Sequence, residues 1–244
     1  MKIIKFTKAK NGMYQLTLED NNKLKLHEDL ILKHDLLLSK EITDMESLLE
    51  ENKVYEIYEV SVSYINKKLR SKKELEKYLI KKGYDNSYIE ETIKLLYEQG
   101  YLNDKVYATS LVHDKIVLSS DGPLKIKKEL NDNGISQELI DEVILEYSSE
   151  LEKERIEKIV DKQIKLNNNK GSNLLKKKIQ MYLLNLGYNY ELINEVLNSK
   201  KLVSEDLYQK TYEKEYQKLS KKYSGKELEY RLKQKMYQKG FNIE

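Results

Sequence analysis

Apolar residues recur along this 244-residue chain in a fixed register around four glycines. Eight and four residues before each glycine, and directly after it, the residue is always apolar, as at Leu75, Leu79 and Tyr84 around the first glycine. The glycines are Gly83, Gly134, Gly187 and Gly240, which lie 51, 53 and 53 residues apart. A repeat of this length with helical apolar spacing predicts tandem helical units, each burying its apolar face partly on its neighbours. We expect these units to form an elongated, curved row.

The first 30 residues follow a different pattern, in which apolar residues alternate at period two. Turn signals lie at Asn11-Gly12 and at Asp20-Asn21-Asn22. The alternating residues are Ile4 and Phe6, then Tyr14, Leu16 and Leu18, then Leu24 and Leu26. This pattern predicts a small three-stranded sheet. Because three short strands bury little surface alone, we expect the sheet to lean on a following helix, which Thr43 and Glu46 would open as a capping box.

Each repeat parses into three helices. The starts in the first repeat are predicted at Ser71 with Glu74, at Ser87 with Glu90, and at Asn103, and the first two helices end at Gly83 and near Gly100. These are capping residues followed by left-handed C-terminal glycines. The second repeat starts at Gly122-Pro123, the third near Lys170-Gly171 after Asn167-Asn168-Asn169, and the fourth, truncated at Glu244, near Ser224-Gly225.

The predicted organisation therefore has six parts. They are a β module at 1–42, a linking helix at 43–69, three-helix repeats at 70–120, 121–169 and 170–222, and a partial repeat or capping helix at 223–244. The fold class is mainly α.

Composition narrows the class of protein. Charged residues make up 35% of the chain, there is one proline, and cysteine is absent. The absence of cysteine excludes disulfides, thiolate metal sites and a cysteine nucleophile, and gives no support for secretion. No apolar run reaches the length of a membrane span, so we expect a cytoplasmic protein. The 20 tyrosines accompany many lysines and asparagines. Such a bias is typical of an AT-rich genome, so the tyrosines alone do not indicate a stacking surface.

Charge is distributed in blocks, although the net charge is only +3. The segment from Lys67 to Lys82 contains eight basic residues and two acidic ones, whereas the segment from Glu138 to Glu157 contains eight acidic residues and two basic ones. The basic residues of the first helices are Lys67, Lys68, Arg70, Lys72, Lys73, Lys77, Lys81, Lys82, Lys125, Lys127, Lys128, Lys176, Lys177 and Lys178. Stacked in register, they would form a stripe that attracts polyanions and binds them more weakly as salt rises. The alternative is that these lysines only solvate the outer faces of amphipathic helices.

Residues typical of catalysis are scattered. His27, His34 and His113 show no paired-histidine spacing, and no glycine-rich phosphate loop occurs. Neighbouring carboxylates such as Glu90 and Glu91 fall on predicted helix surfaces. The sequence therefore predicts no enzyme, no metal and no cofactor.

Three stretches resemble the bacterial RecX family of regulatory proteins. They are LRSKKELEKYLIKKGY at 69–84, GYLNDKVYA at 100–108, and GPLKIKKEL at 122–130, in the order and separation that the family shows. The family motifs are matched by Ser71, Glu74, Leu75, Leu79, Gly83, Tyr101, Leu102, Asp104, Tyr107, Ala108, Gly122, Pro123, Ile126, Leu130 and Gly134. Folding accounts for most of these, and only Arg70 and the flanking lysines are candidate contacts. Ser119-Ser120-Asp121 stands where the family commonly has basic residues, a departure that weakens any contact from this loop.

The resemblance implies a modulator, usually an inhibitor, of the RecA recombinase in homologous recombination, DNA repair and the SOS response. Such proteins lodge in the groove of the RecA filament on single-stranded DNA or at its growing end. For this chain the resemblance implies a monomer that binds RecA filaments, with weak direct binding to nucleic acid and no membrane. Two alternatives stay open: a sequence-nonspecific single-stranded nucleic-acid-binding module, and a helical-repeat adaptor that binds no nucleic acid.

Overall fold

The computed structural model describes residues 1–10, 12–167, 171–202 and 205–241. The chain forms two compact units. One comprises Met1–Ala108 with Asn133–Ile135, and the other comprises Thr109–Asp132 with Ser136–Glu244. The division falls within one helix.

The first unit begins with the predicted three-stranded sheet. Strands β1 (Ile3–Lys8), β2 (Met13–Leu18) and β3 (Lys23–His27) pair antiparallel in the order β1-β2-β3. The prediction that Ile4 faces the core is wrong, because the pairing shifts between Ile3 and Lys5 and turns Ile3 inward. Ile3 is 4% exposed and Ile4 is 64% exposed. Of the predicted first turn, Asn11 lies outside the described residues.

Two short helices and one long helix cover this sheet. Helices α1 (Glu28–Lys33) and α2 (Leu36–Ser39) are absent from the sequence prediction, and α3 (Met45–Ile65) is the predicted linking helix. The shared core contains Leu16, Leu18, Leu26, Leu30, Ile31, Leu36, Ile42 and Leu48. The predicted Thr43 cap is wrong by one residue, because the Asp44 carboxylate accepts the Ser47 N–H at 3.0 Å instead. The sheet thus packs on α1 and α3, as its small size requires.

The rest of the first unit is a three-helix cluster. Helices α4 (Lys72–Lys81) and α5 (Asn86–Glu98) pack with α3 around a core of Ile57, Leu75, Leu79, Ile89, Ile93 and Leu96. The Ser71–Glu74 capping box is confirmed, with both of its hydrogen bonds present. The predicted cap at Ser87 is wrong, since the Asp85 carboxylate accepts the Ser87 N–H at 3.1 Å and starts α5 two residues earlier.

Helix α6 (Asp104–Leu118) crosses the division and leads into the second unit. The predicted cap is confirmed, because Asn103 accepts the Val106 N–H at 3.0 Å. The second unit continues with α7 (Pro123–Asp132), α8 (Gln137–Val143), a 3₁₀ turn (Ile144–Glu146), α9 (Ser149–Leu166), α10 (Ser172–Leu186), α11 (Tyr190–Ser199), α12 (Glu205–Leu219) and α13 (Gly225–Gln238). Of the predicted start of the third repeat, Asn168, Asn169 and Lys170 lie outside the described residues, as does Glu244.

In the first and third repeats, a longer helix packs with the two helices that follow it. Helix α3 packs with α4 and α5, and α9 packs with α10 and α11 in the same way. Helix α13 packs on α12. All four repeat glycines have positive φ, at 87°, 82°, 84° and 85°. The repeat in the sequence thus corresponds to a repeated arrangement of helices. The two clusters α3–α5 and α9–α11 each include the helix that precedes the predicted start of the repeat.

Backbone hydrogen bonds join successive repeats of the second unit. The N–H of Gly122, before α7, donates to Leu186 O at 2.7 Å, and the Leu124 N–H donates to Gly187 O at 3.0 Å. Before α10, the Gly171 N–H donates to Lys239 O and the Asn173 N–H to Gly240 O, both at 3.0 Å. Each pair joins the free N–H groups at the start of one helix to the free carbonyls at the end of the next repeat's helix. We call each pair a glycine clasp.

Candidate partner-binding surface

The basic residues of the first helices divide into paired and unpaired groups. Several have their ammonium group bonded within the chain, three of them to carboxylates and two to neutral amide oxygens. Lys72 pairs with Glu76 at 3.6 Å, Lys125 with Asp121 at 2.6 Å and Lys127 with Asp141 at 2.8 Å, while Lys176 and Lys178 donate to Asn198 and Asn167 at 2.6 and 2.5 Å. For these lysines the structure favours the alternative interpretation, in which they solvate helix surfaces and bind no partner.

The unpaired lysines concentrate on α4. Among the described residues, no carboxylate lies within 4.0 Å of Lys73, Lys77 or Lys81, nor of Lys67 and Lys68 just before the helix. Residues 73, 77 and 81 follow one another at intervals of four, so they share one face of α4. Lys77 and Lys81 are exposed, and Lys73 is half-buried. Lys128 on α7 and Lys177 on α10 are also exposed without an acidic partner among the described residues. The α4 face thus carries three lysines that have no carboxylate partner among the described residues.

Arg70 is held inside the first unit. Its guanidinium lies 4.4 Å from the centroid of the Tyr64 ring, and its Nη1 donates to Glu74 at 3.2 Å. The Tyr64 ring stacks on the Tyr78 ring at 3.8 Å with an angle of 4°, and Lys82 Nζ lies 5.4 Å from the Tyr78 centroid. Such cation–π layers stabilise a fold when the ring faces are partly buried. This arrangement gives Arg70 a packing role in the cluster.

The loop before α7 is also occupied within the chain. Arg155 donates to Ile116 O at 2.9 Å and to Ser119 O, and the Tyr188 hydroxyl donates to Ser120 O at 3.1 Å. Burial alone would raise the pKa of Asp121, but hydrogen bonds from Lys125 and Lys115 outweigh that effect and hold the pKa below its usual value. The backbone carbonyls of Ser119 and Ser120 and the carboxylate of Asp121 therefore anchor this loop.

An open groove lies beside the first clasp. Its volume is about 540 Å³, and it runs between α7 and the end of α10. Leu124 and Leu184 line it, with Lys128 on one side and Glu129 and Asp132 close by. Because both signs of charge line the groove, it lacks the character of a dedicated phosphate site.

The motif residues inferred from family resemblance lie mainly in the core. Leu75, Leu79, Ala108, Ile126 and Leu130 are fully buried, Leu102 and Tyr107 are nearly so, and Tyr101 is 40% exposed. Asp104 accepts a hydrogen bond from the Tyr97 hydroxyl at 2.8 Å. Burial, together with this hydrogen bond, raises the pKa of Tyr97. Pro123 opens α7, and a β-carbon at Gly134 would lie 3.6 Å from the Lys73 side chain.

The three histidines lie apart. His27 is buried between the sheet and α3, stacked on Tyr55 at 4.9 Å and bonded to Glu59 at 3.2 Å. His34 contacts Glu51 and His113 contacts Glu146. Among the described residues, no cluster of three or more His, Cys, Asp or Glu side chains could hold a metal ion. In the same residues, no helix has the length and apolar character needed to cross a bilayer.

Sequence comparison identifies the family. Two family models match: the first three-helix domain of RecX at residues 58–96 and the second at residues 103–144. The regulatory protein RecX of Halalkalibacterium halodurans is 30% identical over 253 aligned positions, which cover 99% of this chain and 95% of that protein. The chain belongs to the RecX family. The RecX protein of Lactococcus lactis subsp. cremoris strain SK11 is 31% identical over 203 positions, covering 80% of this chain and 75% of that one.

Solved structures support the same fold. A crystal structure of regulatory protein RecX matches with a TM-score of 0.72 at 20% identity, covering 82% of this chain and all of that one. The crystal structure of RecX from Lactobacillus salivarius matches with a TM-score of 0.56 at 26% identity, covering 61% and 96%. The prediction of a mainly α fold with tandem three-helix units behind a three-stranded module is confirmed. The RecX family models cover α3 to α5 and α6 to the 3₁₀ turn, so they too begin with the longer helix.

Proposed function

We propose that this RecX family protein binds RecA and its filaments on single-stranded DNA and inhibits recombinase, ATPase and co-protease activity. The observation that carries the proposal is the 30% identity to a regulatory protein RecX over 99% of the chain. The protein acts by lodging in the filament groove or at the growing end. It acts as a monomer in the cytoplasm, within homologous recombination, DNA repair and the SOS response.

Repetition within the chain supports this mode of action. A row of similar units presents similar surfaces at regular intervals, which suits a partner that is itself a repeating polymer. Several weak contacts along a filament combine through effective concentration, so no single contact has to be strong. The unpaired lysines of α4 supply attraction to phosphates or to acidic protein surfaces, and this attraction weakens with salt.

The proposal is tested by the ATPase rate of RecA on single-stranded DNA while the protein is titrated from well below to equal stoichiometry. We expect the rate to fall at substoichiometric protein, because blocking filament growth or occupying a groove affects many protomers at once. Competition for DNA sites would need far more protein. An unchanged rate at equimolar protein, with filaments intact by electron microscopy, would refute inhibition.

A second candidate is a single-stranded nucleic-acid-binding module that acts without recombinase. The observation favouring it is the group of exposed, unpaired lysines on α4, Lys77 and Lys81 among them. This candidate requires tight oligonucleotide binding in the absence of RecA. A helical adaptor would bind neither RecA nor DNA.

A further inference from the structure

The last helix carries an alternating basic and aromatic stripe on its outer face. Lys226, Tyr230, Lys233 and Tyr237 occupy positions that fall within about 60° of one another on a helix of 3.6 residues per turn. Tyr230 is 65% exposed and Tyr237 is 73% exposed, and both lysines are exposed. We call these four residues the α13 stripe.

The α13 stripe is not needed to hold α13 in place. The helix is anchored by its other face, where Leu228, Leu232 and Met236 are buried. Leu232 and Met236 pack with Phe241 against partly buried residues of α12. Large exposed aromatic rings with no packing role are the kind of surface feature that marks an interaction site.

The charges of the α13 stripe are available to a ligand. Among the described residues, no carboxylate lies within 4.0 Å of Lys226 or Lys233. Of the two carboxylates on α13, Glu227 is paired with Arg231 at 3.1 Å, and Glu229 lies within 4.0 Å of neither lysine. Gln234 donates to the Tyr230 hydroxyl at 3.2 Å and restrains that ring while leaving its faces open. The α13 stripe thus combines two unpaired cations with two aromatic faces.

We infer that the α13 stripe is a stacking surface for single-stranded DNA. Free bases stack on tyrosine rings while ammonium groups contact the phosphates between them, as in other sequence-tolerant single-strand sites. Tyr230 and Tyr237 lie about 10 Å apart along the helix axis, at 1.5 Å per residue. That interval suits an extended strand. Duplex DNA keeps its bases stacked within the helix, so it offers no faces to these rings.

The choice of DNA over RNA rests on the proposed function, whereas the stacking geometry does not. The inference extends the predicted basic surface to a helix outside the first three repeats. It also adds a direct DNA contact that is separate from the α4 lysines.

The inference is tested by fluorescence anisotropy of labelled oligothymidylate and oligouridylate with the full chain, without RecA. Replacing Tyr230 and Tyr237 together by alanine is expected to weaken oligothymidylate binding by about 25-fold or more, since each stacked base contributes at least about 5-fold. Replacing both by phenylalanine should preserve binding, because phenylalanine retains the ring face. Tyr190→Ala is the matched control, since Tyr190 is 57% exposed at the start of α11 and outside the α13 stripe.

A second measurement separates charge from stacking. The double variant Lys226→Glu/Lys233→Glu should reduce the salt slope of binding by about 1.4, because two phosphate contacts are lost and each contributes about 0.7 on a single strand. Photocrosslinking of bromodeoxyuridine-substituted oligonucleotide should label the α13 peptide. The inference is overturned if the double alanine variant binds oligothymidylate like the parent. If that variant also loses binding to RecA, the α13 stripe is a protein contact. Tighter binding of oligouridylate would also overturn the assignment to DNA. None of these readouts depends on RecA inhibition, so the proposed function can fail independently.

Discussion

The backbone of Gly122 lies directly against the backbone of Gly187. A β-carbon on Gly122 would come within 2.6 Å of the Gly187 carbonyl carbon, and one on Gly187 would come within 2.6 Å of the Lys125 Cβ. The same close approach recurs at the second clasp, where a β-carbon on Gly171 would lie 2.6 Å from Gly240 O. The repeat glycines of the second unit therefore end a helix and also admit the backbone of the preceding repeat.

Gly187→Ala is expected to destabilise the second unit by about 3 kcal/mol, from the left-handed backbone and the steric clash together. Gly83→Ala is the matched control. Gly83 has nearly the same φ, 87° against 84°, but no atom lies within 4 Å of its β-carbon position. The control should lose only about 1–2 kcal/mol, the left-handed contribution alone. Urea unfolding followed by circular dichroism measures both, and equal losses would contradict the clasp.

Hydrogen exchange tests the clasp locally. In the parent protein, the Gly122 and Leu124 amides should exchange slowly because they donate to Leu186 and Gly187. In Gly187→Ala these amides should lose protection, while those of α4 keep theirs. Uniform loss across the second unit would instead indicate global unfolding.

Arg70→Lys is expected to destabilise the first unit by about 1 kcal/mol, because lysine cannot lie flat on the Tyr64 ring as guanidinium does. The Glu74 partner would remain available to the lysine. RecA inhibition per folded molecule should be unchanged, since Arg70 is held within the cluster. Thermal unfolding and the ATPase titration measure the two effects separately. A large loss of inhibition at full stability would make Arg70 a contact residue.

Glu152 makes the stability of the second unit depend on pH. Its side chain is 7% exposed and accepts the Asn189 N–H at 2.7 Å. Burial raises the pKa of Glu152 above its usual 4.5, although the Asn189 bond opposes the shift. In the folded state the carboxyl therefore keeps its proton to higher pH than in the unfolded state. Its contribution to stability is present below 4.5 and declines as pH rises through the folded-state pKa.

Glu152→Gln should remove that decline while still offering an oxygen to the Asn189 N–H. Below pH 4.5 the two proteins should differ in stability by a fixed amount. As pH rises through the folded-state pKa of Glu152, the parent should lose stability and the variant should not, so the difference should shift in favour of the variant. Urea unfolding of both proteins across this range measures the difference. The lowered pKa of Asp121 acts in the opposite direction but is common to both proteins. A difference independent of pH would contradict a perturbed carboxyl at Glu152.

Features fixed by neighbouring residues were predictable from the sequence. The apolar register around Gly83 and the Ser71–Glu74 capping box depend on residues within two helical turns, so the pattern reveals them. The pattern predicts the start of α5 at Ser87, whereas the carboxylate of Asp85 caps the helix two residues earlier. Helices α1 and α2 were missed because they are short and are held by tertiary contacts of Leu30 and Leu36 with the sheet.

The character of the candidate surface depended on contacts distant in sequence. Lys127 and Lys128 are neighbours of the same residue type, yet within the described part of the chain only Lys127 pairs with a carboxylate, that of Asp141 on the next helix. The sequence makes Arg70 a candidate partner contact, but in the structure its guanidinium lies 4.4 Å from the centroid of the Tyr64 ring. The number of tyrosines does not by itself indicate which of them contact a partner. Their position on one exposed face of α13 is what distinguishes Tyr230 and Tyr237.

The α4 lysines provide the most direct test of the proposed surface. Lys77→Glu/Lys81→Glu reverses two exposed charges that are one turn apart and free of carboxylates among the described residues. If they contact the RecA filament or its DNA, the protein needed for half-inhibition of the ATPase should rise about 5-fold or more, a change of at least about 1 kcal/mol in binding. Lys162→Glu/Lys165→Glu on α9 makes the same change in net charge at exposed positions and should inhibit like the parent. Equal weakening by both variants would indicate a general charge effect, and no weakening by the first would remove α4 from the surface.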